Sequence, residues 1–284
     1  MQPFYNQATL SYNKTVTTSN LVRGTLRTAL QVTKTPVKDT YVHGEEITYL
    51  ISIQNTGDTA FTGLTVTDDL GAYAFGTGTV VPLTYVDGTL TVLADGVPTT
   101  GPAVQETDPL TVTGVNVPAG GSVVIAYAVT VNSYAPLGAQ AAVTNTATVD
   151  GDGMTAPMTA TAEITAADGV TLAITKSIDP NPVTERGQVT YTFEICNYGS
   201  QPATAADNAV LTDQFDPVLS ALTAMLNGTP MTAATDYTYD EDSGLFETVA
   251  GVLTVPAAAY AQDADTGAWS ITPGLATLAV TGTI

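Results

Sequence analysis

Cationic side chains are scarce in this chain. Seven lysines and arginines stand against 27 aspartates and glutamates, for a formal net charge of −20. With no basic stripe, nucleic acid is excluded as a partner, and so is attraction to an anionic membrane. One cysteine, Cys196, excludes an internal disulfide. One histidine, His43, sits beside Gly44 in a turn, so a His-dependent triad or a zinc site lacks its residues. No apolar run is long enough for a membrane-spanning helix, so membrane insertion is not expected. Met1 to Asn6 has neither a basic start nor an apolar stretch. The expectation is a mature form or a route without conventional secretion, such as deposition on a spore surface. No Gly-rich loop precedes a helix, so no phosphate cofactor is expected. The acidic groups Asp236, Asp240, Glu241, Asp242, Asp263 and Asp265 lack the ligand spacing of a calcium loop. They read as acidic hairpin turns; no metal is expected.

What is abundant is strand chemistry. Thr, Val, Ala and Tyr dominate the stretches between turn signals, and 44% of residues are hydrophobic while only 12% are charged. The apolar positions alternate over short runs, and no stretch reads as a long helix.

The strongest signal is internal repetition. Val32-Thr33-Lys34-Thr35 matches Ile174-Thr175-Lys176-Ser177, and Glu46 to Gly57 matches Gln188 to Gly199, both at an offset of 142 positions. Leu64-Thr65-Val66-Thr67-Asp68 then matches Ala209-Val210-Leu211-Thr212-Asp213, and Pro118-Ala119-Gly120 matches Pro273-Gly274. The first copy continues into Val143-Thr144-Asn145-Thr146-Ala147-Thr148-Val149, whereas the second ends at Ile284 on its penultimate strand. A related segment stands at the other end of the chain, where Asn6-Gln7-Ala8-Thr9-Leu10 resembles Asn145 to Val149.

These residues resemble the conserved repeat domain of Gram-positive bacterial surface proteins. The family's motifs are present as Gln31 to Thr35, Tyr49 to Gly57, Thr65 to Leu70, Pro118 to Gly120 and Asn145 to Val149. The resemblance implies an immunoglobulin-like sandwich. Related surface sandwiches carry spontaneous Lys–Asn isopeptide bonds promoted by a buried acid. The expected fold is therefore all-β: two tandem immunoglobulin-like sandwiches at 29–150 and 171–284, the second lacking its final strand. A connector at 151–170 joins them, and an N-terminal donor strand and connector occupy 1–28.

Strand alternation puts Leu30, Val32 and Lys34 on one face, Leu64, Val66 and Asp68 on another, and Val143, Asn145, Ala147 and Val149 on a third. The second copy gives Leu172, Ile174 and Lys176, then Ala209, Leu211 and Asp213. The N-terminus gives Phe4, Asn6, Ala8 and Leu10. Each core-facing set carries one polar residue, and isolated buried polar groups are costly. Burial favours a neutral Lys amine and raises the pKa of the acid. The amine is then nucleophilic toward the Asn carbonyl, and the acid can shuttle the proton. The expected sets are Lys34, Asn145 and Asp68 within the first copy, and Lys176 and Asp213 with Asn6 between subunits. The alternative is a buried Lys–Asp ion pair hydrogen-bonded to Asn.

A module without its last strand calls for a partner strand. The function expected is a structural subunit of an extracellular filament on a bacterial cell or spore surface. Its partner is itself, head to tail, and the only catalysis is self-crosslinking. The alternative is a monomeric adhesin or glycan-binding module with an unknown ligand.

Overall fold

The computed structural model describes residues 2–26 and 29–284. It is almost entirely β; the only helical element among the described residues is a single 3-10 turn at Ala205–Asp207. The expected all-β class and the sandwich architecture are therefore present.

The first sandwich faces two six-stranded sheets against each other. One runs Val97–Thr99, Thr91–Ala94, Ser122–Val131, Glu46–Asn55, Leu30–Pro36, with Leu83–Tyr85 also paired to Ser122–Val131. The other runs Ala103–Thr107, Leu110–Val117, Phe61–Asp68, Ala142–Asp150, Met158–Ala166, Thr40–Tyr41. Alternation drives the packing. Along Ser122–Val131 every second residue is buried, and Val123, Ile125, Tyr127, Val129 and Val131 form the inner face. Together with Ile47, Tyr49, Ile51 and Ile53 of the neighbouring strand they make one continuous core.

The strand Met158–Ala166 corrects the expected boundary. Residues 151–170 are not a connector, because Met158–Ala166 pairs along its length with Ala142–Asp150, in register Asn145↔Ala162 and Ala147↔Ala160. It also pairs in parallel with Thr40–Tyr41. The reason is burial: Ala162, Ile164 and Ala166 face the core, and the strand is held there by the hairpin turn that follows Asp150. The first sandwich thus closes with a β-hairpin and extends to about residue 166.

The second sandwich contains the sheet Leu172–Asp179, Gln188–Asn197, Gly274–Thr283, Ser220–Leu226, Thr229–Pro230 and the smaller sheet Thr212–Gln214, Leu245–Thr248, Tyr237–Asp240. Its core is smaller and built around Phe193, Phe215, Phe246, Leu278 and Val280. In the first sandwich Phe61–Asp68 lies between Leu110–Val117 and Ala142–Asp150. Its counterpart Thr212–Gln214 pairs on one side only, with Leu245–Thr248. The expected shortfall of one strand is therefore corrected to two: among the described residues neither Ala142–Asp150 nor Met158–Ala166 has a counterpart.

The N-terminal segment also differs from the expected strand and connector. Gln2–Asn6 pairs with Val22–Leu26, and Thr9–Tyr12 pairs with Thr15–Thr18, giving one long antiparallel hairpin. Its tip is the two-residue turn Asn13-Lys14, both at positive φ (42° and 65°), the backbone of a tight hairpin turn. The end of the expected 1–28 segment lies outside the described residues. The side chains described for residues 3–23 are exposed, Phe4, Tyr5, Leu10, Tyr12, Val16, Leu21 and Val22 among them.

Candidate crosslinking site and its open counterpart

In the first sandwich, Lys34 projects inward from Leu30–Pro36, Asp68 from the end of Phe61–Asp68, and Asn145 from Ala142–Asp150. All three are buried, with Lys34 at 5%, Asp68 at 1% and Asn145 at 0% exposure. Lys34 Nζ donates to Asp68 Oδ2 at 2.5 Å. Tyr127 donates its hydroxyl proton to the same oxygen. Asp68 Oδ1 accepts from the Leu70 N–H at 3.0 Å. The acid is thus fixed on both oxygens.

Asn145 is held by its backbone instead. The neighbouring Asp69 accepts from the Thr146 N–H at 2.8 Å and donates its own N–H to the Thr146 carbonyl at 3.0 Å. The Asn145 side chain has no such support. Neither its amide nitrogen nor its oxygen has a hydrogen-bond partner in the protein, and the Tyr49 hydroxyl is also buried without one. Asn145 is near enough to the Tyr49 and Tyr127 hydroxyls to oppose slightly the rise in their pKa caused chiefly by burial. A buried polar group without a well-formed partner costs about 1–3 kcal/mol.

Burial, the largest influence on Lys34, pushes its amine below the usual value of 10.5, against the opposing pull of Asp68. The amine also lies 5.0 Å from the Tyr49 ring centroid, and Tyr49 stacks on Tyr127 at 6.0 Å. The pocket is an aromatic-walled chamber holding an amine, a carboxyl and an unsatisfied carboxamide. Sequence reading missed both tyrosines and Asp69. The inward register of Tyr49 and Tyr127, directly paired across their sheet, was the available signal.

The second sandwich reproduces half of this site. Lys176 Nζ donates to Asp213 Oδ2 at 2.5 Å and lies 4.6 Å from the Tyr191 ring and 5.2 Å from that of Phe215. Lys176 lies on the core-facing side of a sandwich that is open there. Its side chain is 39% exposed against 0% for Lys34, and all eight residues of Leu172–Asp179 are exposed. The covering strands are the ones without counterparts. Val280 occupies the place of Tyr127, since it pairs with Tyr191 as Tyr127 pairs with Tyr49. Asn6, the third expected member, is exposed on the N-terminal hairpin, paired with Val22, and joins neither Lys176 nor Asp213 by a hydrogen bond. The groove beside Lys176 has a volume of about 310 Å³ and is walled by Leu172, Ile174, Ile195, Leu211, Leu253 and Val255.

The acidic clusters serve as turns. Asp263 Oδ1 accepts from the N–H groups of Asp265 and Thr266, and Asp240 accepts from the Asp242 N–H and the Ser243 hydroxyl. Those hydrogen bonds hold both carboxyls below the usual carboxylate range.

No protein-family profile matches the chain, and no curated protein matches it in sequence. The resemblance to the conserved repeat domain therefore rests on the motifs themselves. Among solved structures, the chain is similar to the pilus backbone of Streptococcus pneumoniae (13% identity, TM-score 0.35, covering 86% of this chain and 55% of that one). It thus spans about half the length of that protein. It is also similar to the major pilin subunit of Bacillus cereus (13% identity, TM-score 0.37, 96% and 73% covered). A third similar structure is the collagen-binding subdomain of an Enterococcus faecalis surface protein (9% identity, TM-score 0.32, 50% and 99% covered).

Proposed function

We propose that this protein is a structural subunit of an extracellular bacterial filament, assembled head to tail by strand complementation. The N-terminal segment around Phe4, Asn6, Ala8 and Leu10 enters the second sandwich of the next subunit. The observation that carries this reading is a matched pair within one chain. The second sandwich repeats the first up to the strands that close it, and the motif of the closing strand stands at the N-terminus, on a hairpin whose side chains are exposed. A heterologous contact of this kind propagates rather than closing a dimer. It also covers the open edge at Thr212–Gln214, which would otherwise invite aggregation.

Two Lys–Asn isopeptide bonds complete the proposal. In the first sandwich, neutral Lys34 Nζ attacks Asn145 Cγ, and the Cγ–Nδ2 bond breaks. Asp68 relays a proton from the attacking nitrogen to the departing one, so one ammonia leaves and one secondary amide remains. The bare Asn145 amide and the lowered Lys34 pKa support this step over a static ion pair. The same exchange joins Lys176 to Asn6 of the neighbouring subunit, with Asp213 as the acid. The cell or spore surface is the compartment such a filament implies.

A denaturing gel of assembled protein tests the reading. A ladder resistant to boiling in detergent is expected from the native chain, and monomer alone from Asn6→Ala or Lys176→Ala. A native chain that stays monomeric in solution at high concentration overturns the filament.

A further inference from the structure

We infer that the second sandwich is completed by a whole β-hairpin of a second copy of this chain, Gln2–Asn6 to Val22–Leu26, rather than by a single strand. The return arm is what seals Lys176 from water. This rests on the strand-complementation reading above and extends it.

The first sandwich supplies the template. There, the hairpin Ala142–Asp150 and Met158–Ala166 does two separate jobs. The leading arm pairs with the acid-bearing strand, in register Ala147↔Asp68 and Val149↔Val66. The return arm packs over Leu30–Pro36 and leaves the lysine side chain at 0% exposure. A single inserted strand would do only the first job. It would pair with Thr212–Gln214 and leave Leu172–Asp179 as open as it is now, with Ile174 at 55% exposure.

The N-terminal hairpin matches the template in motif, and its register corresponds from Gln2 to Asn6; beyond that, between Asn6↔Val22 and Thr9↔Thr18, it shifts by one residue where the template runs unbroken. Setting Asn6 on Asn145 puts Ala8 opposite Asp213 and Leu10 opposite Leu211, beside the apolar groove. Across the hairpin, Asn6 pairs with Val22 as Asn145 pairs with Ala162. The next pair inward is Val143↔Ile164 in the template and Phe4↔Gly24 in the hairpin. Their bulk is redistributed between the arms. The Phe4 ring lies over Gly24, where a Cβ would fall 2.1 Å from ring carbon Cζ. One large and one absent side chain thus replace two of middle size. The hairpin is preformed, so little ordering remains to be done on docking.

Accessibility of position 174 tests this inference in the full chain carrying Cys196→Ser and Ile174→Cys. The thiol is expected to react with a maleimide in the monomer and to lose that reactivity in the polymer. A second variant replaces residues 15–26 by a Gly/Ser segment of equal length and keeps the leading arm intact. It is expected either to polymerise with position 174 still reactive, or not to polymerise while both sandwiches retain their unfolding transitions. A polymer of the Gly/Ser variant in which position 174 is protected overturns the hairpin and leaves single-strand donation standing. Reactivity at 174 in the polymer with the intact hairpin also overturns it. An intact chain that never polymerises removes strand complementation itself.

Discussion

Asn145→Ala separates a crosslinked first sandwich from one held by an ion pair, because the two arrangements give opposite signs. A Lys34–Asn145 bond closes a loop of about 110 residues, and by the loop-entropy relation known for disulfides that is worth about 4–5 kcal/mol. Losing it should lower the melting temperature of this sandwich by about 15 °C, given its size. Without the bond, the substitution only removes a buried amide that has no partner. Stability then stays level or rises by up to about 2 kcal/mol. Calorimetry on the full chain reads both transitions. Fluorescence of Trp269, the only tryptophan, reports the contact between the two halves, where its backbone N–H donates to the Ser133 carbonyl at 2.7 Å. Intact mass supplies an independent check: the native chain should be one ammonia lighter than its sequence, and the variant should not. A native mass equal to the sequence mass, with a variant at least as stable, would refute the covalent reasoning.

Three further predictions concern the chemistry of the same site. In Asn145→Ala the Lys34 amine stays free, with a folded pKa below 10.5. The unfolded chain binds the extra proton in the window between the two values, so stability should rise with pH across that window and level off above 10.5. In the native sequence, taken as unfolded chain that has not yet reacted, bond formation on folding, followed by mass, should quicken over the lower part of the same window as the amine loses its proton. A rate independent of pH there would count against the amine as nucleophile. Tyr127→Phe removes a hydrogen bond to Asp68, of the kind worth about 1.5–3 kcal/mol to a charged group. Loss of ammonia should slow by about 10- to 100-fold, while Tyr73→Phe, outside the chamber, should leave the rate alone.

Strand alternation was enough to put Lys34, Asp68 and Asn145 on inner faces, because a period of two leaves no choice once the apolar partners are known. Alternation names a face and says nothing of what covers it; that the face bearing Lys176 is open follows from the closing strand the second copy lacks. The strand Met158–Ala166 escaped notice because its inner positions include Ala160 and Ala162, too small to contrast with the intervening threonines. The N-terminal hairpin was hidden for a related reason. Its return arm is rich in Thr, and its turn is Asn13-Lys14 instead of the Asn-Gly pair that advertises such a turn. Tyr49 and Tyr127 were legible as core but not as site. A large inward aromatic in a strand has an ordinary packing role, and only the meeting of the Tyr127 hydroxyl with Asp68 gives it another.

The position of the proposed Lys34–Asn145 bond along the chain suits a subunit that bears tension. In the proposed filament, load enters the first sandwich from the docked hairpin, near residue 29, and leaves toward the second sandwich, beyond residue 166. Lys34 lies on the first strand of that path and Asn145 on the last but one. A bond between them carries the load past everything between. Only the segments outside it can extend, roughly 27 residues or about 90 Å at full stretch. Without the bond, roughly 137 residues can extend, releasing about 470 Å. Pulling on single filaments should therefore show short steps for the native chain and long ones for Asn145→Ala. Long steps in the native chain would place the bond elsewhere. The proposed second bond has a different part to play: Lys176 to Asn6 of the neighbour ties the opening strand of one subunit's second sandwich to the next subunit's plug. The loaded path from Asn6 to Lys176 of one subunit would then cross only the first sandwich, shortened there by the Lys34–Asn145 bond, and would leave the rest of the second sandwich outside the load. In that filament Lys34 and Lys176, at equivalent positions of the two opening strands, would be the two points where load passes from strand to bond.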